Sequence, residues 1–146
     1  MRPRPPIGNL PLRELPDPER AKPCVMVVDD DESVVLAIAA RLGSDFHVVG
    51  TLQPEDAVEM AARERASVIL CDINMPTLKG DEVAYALSED DRTADIPLIY
   101  LTALIEAQGA AELDGLFGDH PAISKSASTE ELRAVIYAAL RIAPDE

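Results

Sequence analysis

Val68-Ile69-Leu70-Cys71-Asp72 decides how the chain reads: four apolar residues in a row, closed by a carboxylate. A short, wholly apolar run bounded by polar residues suits a strand covered on both faces, as in a parallel sheet with helices on either side. Asp72 then stands at the carboxyl end of that strand, where open α/β sheets bind ligands. The segment that follows, Ile73-Asn74-Met75-Pro76-Thr77-Leu78-Lys79-Gly80, carries the Pro and Gly of a loop. A carboxylate at such a tip can act as a nucleophile, as a metal ligand, or merely as a helix cap.

Working outward, the same pattern recurs. Cys24 to Val28 is an apolar strand ending in Asp29-Asp30-Asp31-Glu32, and Val34, Val35, Ile38 and Leu42 then recur at helical spacing up to Gly43, a natural helix stop. Phe46 to Leu52 reads as a second strand, and Pro54 to Arg65 as a helix with proline in its first turn. After the central strand come a short helix from Asp81 to Leu87 and a charged loop from Glu89 to Asp95. Pro97 to Leu101 is a fourth strand with Thr102 at its end. A helical stretch follows from Ala107 to Leu116, then a short fifth strand from Pro121 to Ser124 ending at Lys125. Ser128 to Ile142 is a strong last helix whose Ser128 and Glu131 have the spacing of a capping box. Five strand–helix units predict a parallel sheet with helices on both faces, joined by right-handed crossovers.

Composition narrows the function classes. The length of 146 residues fits one domain, and a hydrophobic content of 47% supports a proper core. A net charge of −14 argues against nucleic acid or an anionic membrane as a direct partner. Two cysteines, both in apolar runs, make no disulfide framework, and no run approaches a membrane span or a secretory signal; the chain reads as cytoplasmic. Residues 1–22, rich in Pro and Arg, read as an extended or flexible arm ahead of a domain over 23–146.

Polar groups collect at one set of strand ends: Asp29 and Asp30 on the first, Asp72 on the third, Thr102 on the fourth, Lys125 on the fifth. Strands of a parallel sheet end on the same edge, so these groups can converge. Clustered carboxylates repel one another, and a hard divalent cation such as Mg²⁺ relieves that repulsion. A carboxylate beside such an ion can accept a phosphoryl group, with a lysine and a hydroxyl at hand for its oxygens.

In this order and spacing, Val27-Val28-Asp29-Asp30-Asp31, Cys71-Asp72-Ile73-Asn74-Met75-Pro76 with Gly80, Leu101-Thr102-Ala103, and Lys125 resemble the receiver domain of bacterial two-component response regulators over about residues 23 to 143. The resemblance implies a flavodoxin-like (βα)5 doubly wound sheet of strand order 2-1-3-4-5. It also implies a switch rather than an enzyme with an outside substrate, one that catalyses its own phosphorylation and dephosphorylation. In that reading Asp72 is the phospho-acceptor. Asp29, Asp30, Asp72 and the backbone carbonyl of Asn74 bind Mg²⁺, Thr102 is the switch hydroxyl, and Lys125 contacts the phosphoryl group. The donor would be a phosphohistidine on a sensor histidine kinase or a histidine phosphotransfer protein. The output would be a change in the surface made by residues 104–117, the fifth strand and the last helix, where two copies could also pair.

Two positions depart from the family. Ser126 stands where a proline in a cis peptide usually follows the lysine, and Ala122 stands where an aromatic usually reports the threonine's movement. A cis bond before a residue other than proline costs about 2.5–4 kcal/mol, so the Lys125–Ser126 bond is expected to be trans. Two other readings compete. Asp29-Asp30-Asp31-Glu32-Ser33 superficially fits the nucleophile loop of a haloacid-dehalogenase-type phosphohydrolase, but the carboxylates after Lys125 (Glu130, Glu131, Asp145 and Glu146) are not at a strand tip, and there is no room for a substrate-selecting cap. A degenerate receiver acting only as a binding module is the other.

Overall fold

The structure is a computed structural model, and it describes residues 22–103 and 120–141. In chain order the elements are β1 (Cys24–Val28), α1 (Glu32–Leu42), β2 (His47–Thr51), a 3-10 turn (Pro54–Asp56) leading into α2 (Ala57–Glu64), β3 (Val68–Asp72), α3 (Gly80–Ser88), β4 (Leu98–Thr102), β5 (Ala122–Ser124) and α4 (Thr129–Leu140). The arm before Lys22, the helix expected over 107–116 and Phe117 lie outside the described residues.

The five strands form one parallel sheet in the order β2-β1-β3-β4-β5, as the resemblance implied. Period-two alternation divides the core in two. Val25 and Val27 of β1 face one side with Val68, Leu70, Ile99 and Leu101, and α1 and α4 cover them with Ile38, Leu42, Leu132 and Ile136. Cys24, Met26 and Val28 face the other side with Ile69, Cys71, Leu98 and Tyr100, under Ala57 and Ala61 of α2 and Val83 and Leu87 of α3. Every residue of β1, β3 and β4 is buried, which is why the three read as unbroken apolar runs.

Local chemistry sets the helix ends. Asp31 caps α1, its carboxylate accepting from the Ser33 amide at 2.9 Å. Ser128 and Glu131 form the anticipated capping box on α4. Gly43 ends α1 as expected, but in ordinary right-handed backbone: its φ is −62°, which any residue adopts. The left-handed caps fall instead on Arg65 (φ 55°), ending α2, and Arg141 (φ 58°), ending α4 two residues before the predicted Ile142. Gly50 of β2 has a real steric reason to be glycine, because a Cβ there would lie 2.6 Å from Val35 Cγ1 and push α1 off the sheet.

In the order 2-1-3 the chain turns from one flank of β1 to the other. The crevice outside the carboxyl ends of β1 and β3 is therefore the topological switch point of the sheet. Val28 pairs with Cys71, so the next residues, Asp29 and Asp72, emerge side by side into that crevice.

Candidate functional site

Backbone hydrogen bonds fix the strand tips just past the strands. The Asp29 amide donates to the Thr51 carbonyl (3.2 Å), the Ile73 amide to Leu101 (3.2 Å) and the Lys125 amide to Thr102 (2.9 Å). Asp29 and Asp72 are buried and Asp30 is exposed at the rim. Each of the three offers a carboxylate oxygen within 4.8 Å of the others. Lys125 reaches over them: its Nζ is 3.0 Å from Asp29 Oδ2 and 3.2 Å from Asp72 Oδ1. Thr102 is buried at the end of β4, in register with Ser124.

The two oxygens of Asp29 are treated differently. Oδ1 accepts from the Asp31 amide at 2.9 Å. Oδ2 is fully buried and receives no well-directed hydrogen bond; the Lys125 ammonium is near it, but as a charge rather than an aligned donor. That one ammonium also serves Asp72, so a single cation faces two buried carboxylates and the exposed Asp30 beside them. Asp29, Asp30 and Asp72 together offer the carboxylate donor set a hard divalent ion takes, so these residues fit a metal.

Electrostatics reflects the crowding. Burial, reinforced by the Asp72 charge, raises the Asp29 pKa, and the hydrogen bond from Asp31 and the Lys125 ammonium do not bring it back. Burial pulls Lys125 down, but Asp29 and Asp72 outweigh it and the net shift is upward. Lys125 thus contributes stability that is present below the ordinary lysine pKa and lost as pH rises through its raised value. Asp29 works the other way. Its folded pKa is above its unfolded one, so in metal-free protein its contribution falls as pH rises from the ordinary aspartate range through the raised value. Denaturation at a series of pH values in chelator should show that fall in the wild type and its loss in Asp29→Asn; parallel curves would contradict it. Cys71, behind Asp72, is pushed up to about 12 by burial and by the Asp72 and Asp29 charges, and is therefore an inert packing thiol.

The loop after Asp72 is pinned against it. The Asn74 amide donates to Asp72 Oδ1 at 3.3 Å, and the Gly80 amide to the Ile73 carbonyl at 2.9 Å. A Cβ on Gly80 would lie 2.7 Å from the Asp72 carbonyl oxygen and 2.9 Å from Ile73 Cα, both backbone atoms that cannot swing aside. Gly80→Ala is accordingly expected to destabilise the protein by about 1–3 kcal/mol, the usual cost of overpacking, measured by urea unfolding. A midpoint unchanged from wild type would refute that tight approach.

Three contributions were not read from the sequence. Lys79 Nζ donates to Asn74 Oδ1 at 2.8 Å. Ser124 Oγ accepts from the Ser126 amide at 3.0 Å and lies 2.7 Å from Ser126 Oγ, closing the turn around Lys125. Arg41 of α1 donates to the Ala127 carbonyl and, at 2.9 Å, to Thr129 Oγ1. The Ser-x-Ser spacing is a recognised turn signal that could have marked the second. The Arg41 contacts span more than eighty residues and leave no local trace. No peptide bond among the described residues is cis, so Lys125–Ser126 is trans as expected.

The sequence profile of the response regulator receiver domain matches residues 25–137. This chain belongs to that receiver family. Among curated relatives, the response regulator PleD of Caulobacter vibrioides is 37% identical over 81 residues, covering 55% of this chain and 18% of its own length. The probable transcriptional regulator ycf27 of Guillardia theta is 34% identical over 119 residues, 80% of this chain and 45% of that one. The receiver chain thus spans less than half the length of these relatives. Among solved structures, a response regulator from Desulfuromonas acetoxidans superposes with a TM-score of 0.69 at 25% identity, covering 82% of this chain and 97% of that one. The receiver domain of a sensor histidine kinase from Pseudomonas aeruginosa, solved with a magnesium ion coordinated in its active-site cleft, gives 0.70 at 25% identity, covering 82% and 98%.

Proposed function

We propose that this receiver is a phosphorylation-dependent signalling switch that accepts a phosphoryl group on Asp72. The observation that carries the reading is the placement of Asp72: buried at the central strand tip, beside the buried Asp29 and under the Lys125 ammonium that both share. An Asp72 oxygen forms the new bond to phosphorus as the phosphorus–nitrogen bond of a donor phosphohistidine breaks and the imidazole leaves. The donor is a sensor histidine kinase or a histidine phosphotransfer protein. Lys125, already between Asp29 and Asp72, turns to the phosphoryl oxygens, and the Thr102 hydroxyl donates to one of them. Asp29, Asp30, Asp72 and the Asn74 carbonyl would hold Mg²⁺, which supplies charge neutralisation for the transferring group. The presence of magnesium in the cleft of the similar Pseudomonas receiver supports this assignment.

Output takes an unusual route in this reading. Ala122 pairs with Tyr100 across β4 and β5, and Tyr100 packs edge-on against His120 with ring centroids 5.6 Å apart. Ala122 has no ring to fill space vacated by Thr102. The change reaches β5, α4 and the 104–117 segment through backbone and helix repacking, and controls a partner there. Beryllofluoride with Mg²⁺ tests the proposal: it should bind at Asp72 and change hydrogen-exchange protection across β5, α4 and residues 104–117. Failure to bind would leave a receiver that works as a binding module only. Binding with changes confined to the loops around Asp29, Asp72 and Lys125 would sink the output route.

A further inference from the structure

The turn that carries Lys125 is held from one side by its own hydroxyls and from the other by a distant arginine. Within the turn, Ser124 Oγ takes the Ser126 amide and the Ser124 carbonyl takes the Ala127 amide at 3.0 Å. Toward the sheet, the Lys125 amide is tied to Thr102. On the α1 side the tie is Arg41, with two separate nitrogens on two parts of the exit: the Ala127 carbonyl and the Thr129 hydroxyl. A guanidinium suits this task because its donors are fixed in one plane and stay charged at every working pH. With Ser126 in place of the family's proline, ring rigidity does not fix this backbone.

We infer that Arg41 is a positioning residue for Lys125: it pins the turn to α1 so that the ammonium stands between Asp29 and Asp72. The inference rests on the proposed phosphoryl transfer to Asp72. It adds that α1 supports the site at both ends. Its first turn follows the Asp29–Asp30 carboxylates, and its last turn sets the lysine that faces them. Because a displacement near 1 Å can cost about a hundredfold in rate, a looser turn should slow transfer without removing any group that touches phosphorus.

The test is the rate of Asp72 labelling by acetyl phosphate with Mg²⁺ in the full chain. Arg41→Met keeps the apolar stem and removes both donors; labelling should slow by about tenfold, within the range such misplacement produces. Thr129→Val, which removes one acceptor only, should slow it less and guards against Arg41→Met failing to fold. Arg41→Lys keeps the charge but cannot serve both acceptors from a fork, so it should fall between Arg41→Met and wild type. The deciding comparison is a double-mutant cycle. In a Lys125→Ala background, Arg41→Met should cause no further slowing, and Mg²⁺ affinity by calorimetry should be the same in Arg41→Met as in wild type. A loss of equal size with and without Lys125, a loss of Mg²⁺ affinity, or wild-type rates in Arg41→Met and Thr129→Val would overturn the inference while leaving Asp72 as acceptor. Absence of label in the wild type would overturn the functional reading, and this inference with it.

Discussion

Asp72→Asn is expected to take no label from acetyl phosphate, while the wild type labels on a single carboxylate. Asp72 is the carboxylate at the central strand tip; its Oδ1 is 3.2 Å from the Lys125 ammonium and accepts the Asn74 amide. The oxygens of Asp29 are differently engaged: one is bonded to the Asp31 amide and the other is buried. Asp30 is exposed at the rim. An asparagine keeps the size of Asp72 but loses the anionic oxygen that the proposed transfer requires as nucleophile. The fold should survive, because removing one charge from a crowded acidic cluster relieves repulsion. Intact-mass measurement after acetyl phosphate reads the result directly. Full labelling of Asp72→Asn would falsify the assignment; loss of label together with loss of a cooperative thermal transition would point to unfolding, and far-UV circular dichroism separates the two.

Chelation should have an effect of similar size. With excess EDTA the labelling rate is expected to drop below detection and to return with Mg²⁺ or Mn²⁺, since an uncompensated acidic cluster repels an incoming phosphoryl dianion. Binding to the folded state alone also stabilises it, by about 2.7 kcal/mol when free Mg²⁺ is a hundred times its dissociation constant. The wild-type melting temperature should therefore climb with Mg²⁺. Asp29→Asn loses the buried oxygen that lacks a well-aligned donor, and its melting temperature should barely respond. Undiminished labelling in EDTA, or an equal Mg²⁺ response in Asp29→Asn, would refute the metal assignment.

Most of the fold was legible because three strands are wholly buried and announce themselves as apolar runs; the sheet order came through the resemblance carried by the strand-tip residues. The elements that were harder to place have identifiable causes. Helix ends at Arg65 and Arg141 use a left-handed backbone without the glycine that usually signals it, so the pattern alone carries the last helix two residues too far, to Ile142. The β2 strand is only half-buried on an edge of the sheet, and its pattern suggests Phe46 to Leu52 where pairing runs from His47 to Thr51. At the site, the carboxylates and the lysine could be named because each closes an apolar run. Arg41 and Lys79 could not. They sit among ordinary surface residues, and their partners become visible only when distant segments meet.

The placement of Lys125 just past the shortest and last of the strands has a consequence for biosynthesis. The ribosome delivers Asp29, Asp30 and Asp72 long before the residue that offsets their charge. Because a domain generally folds as a unit, the acidic cluster and the lysine that offsets it come together only once β5 has left the ribosome. That final pairing, three residues long and anchored through the Lys125 amide on Thr102, closes the sheet edge and completes the site in one event. Completion of the sheet and assembly of the candidate site thus coincide.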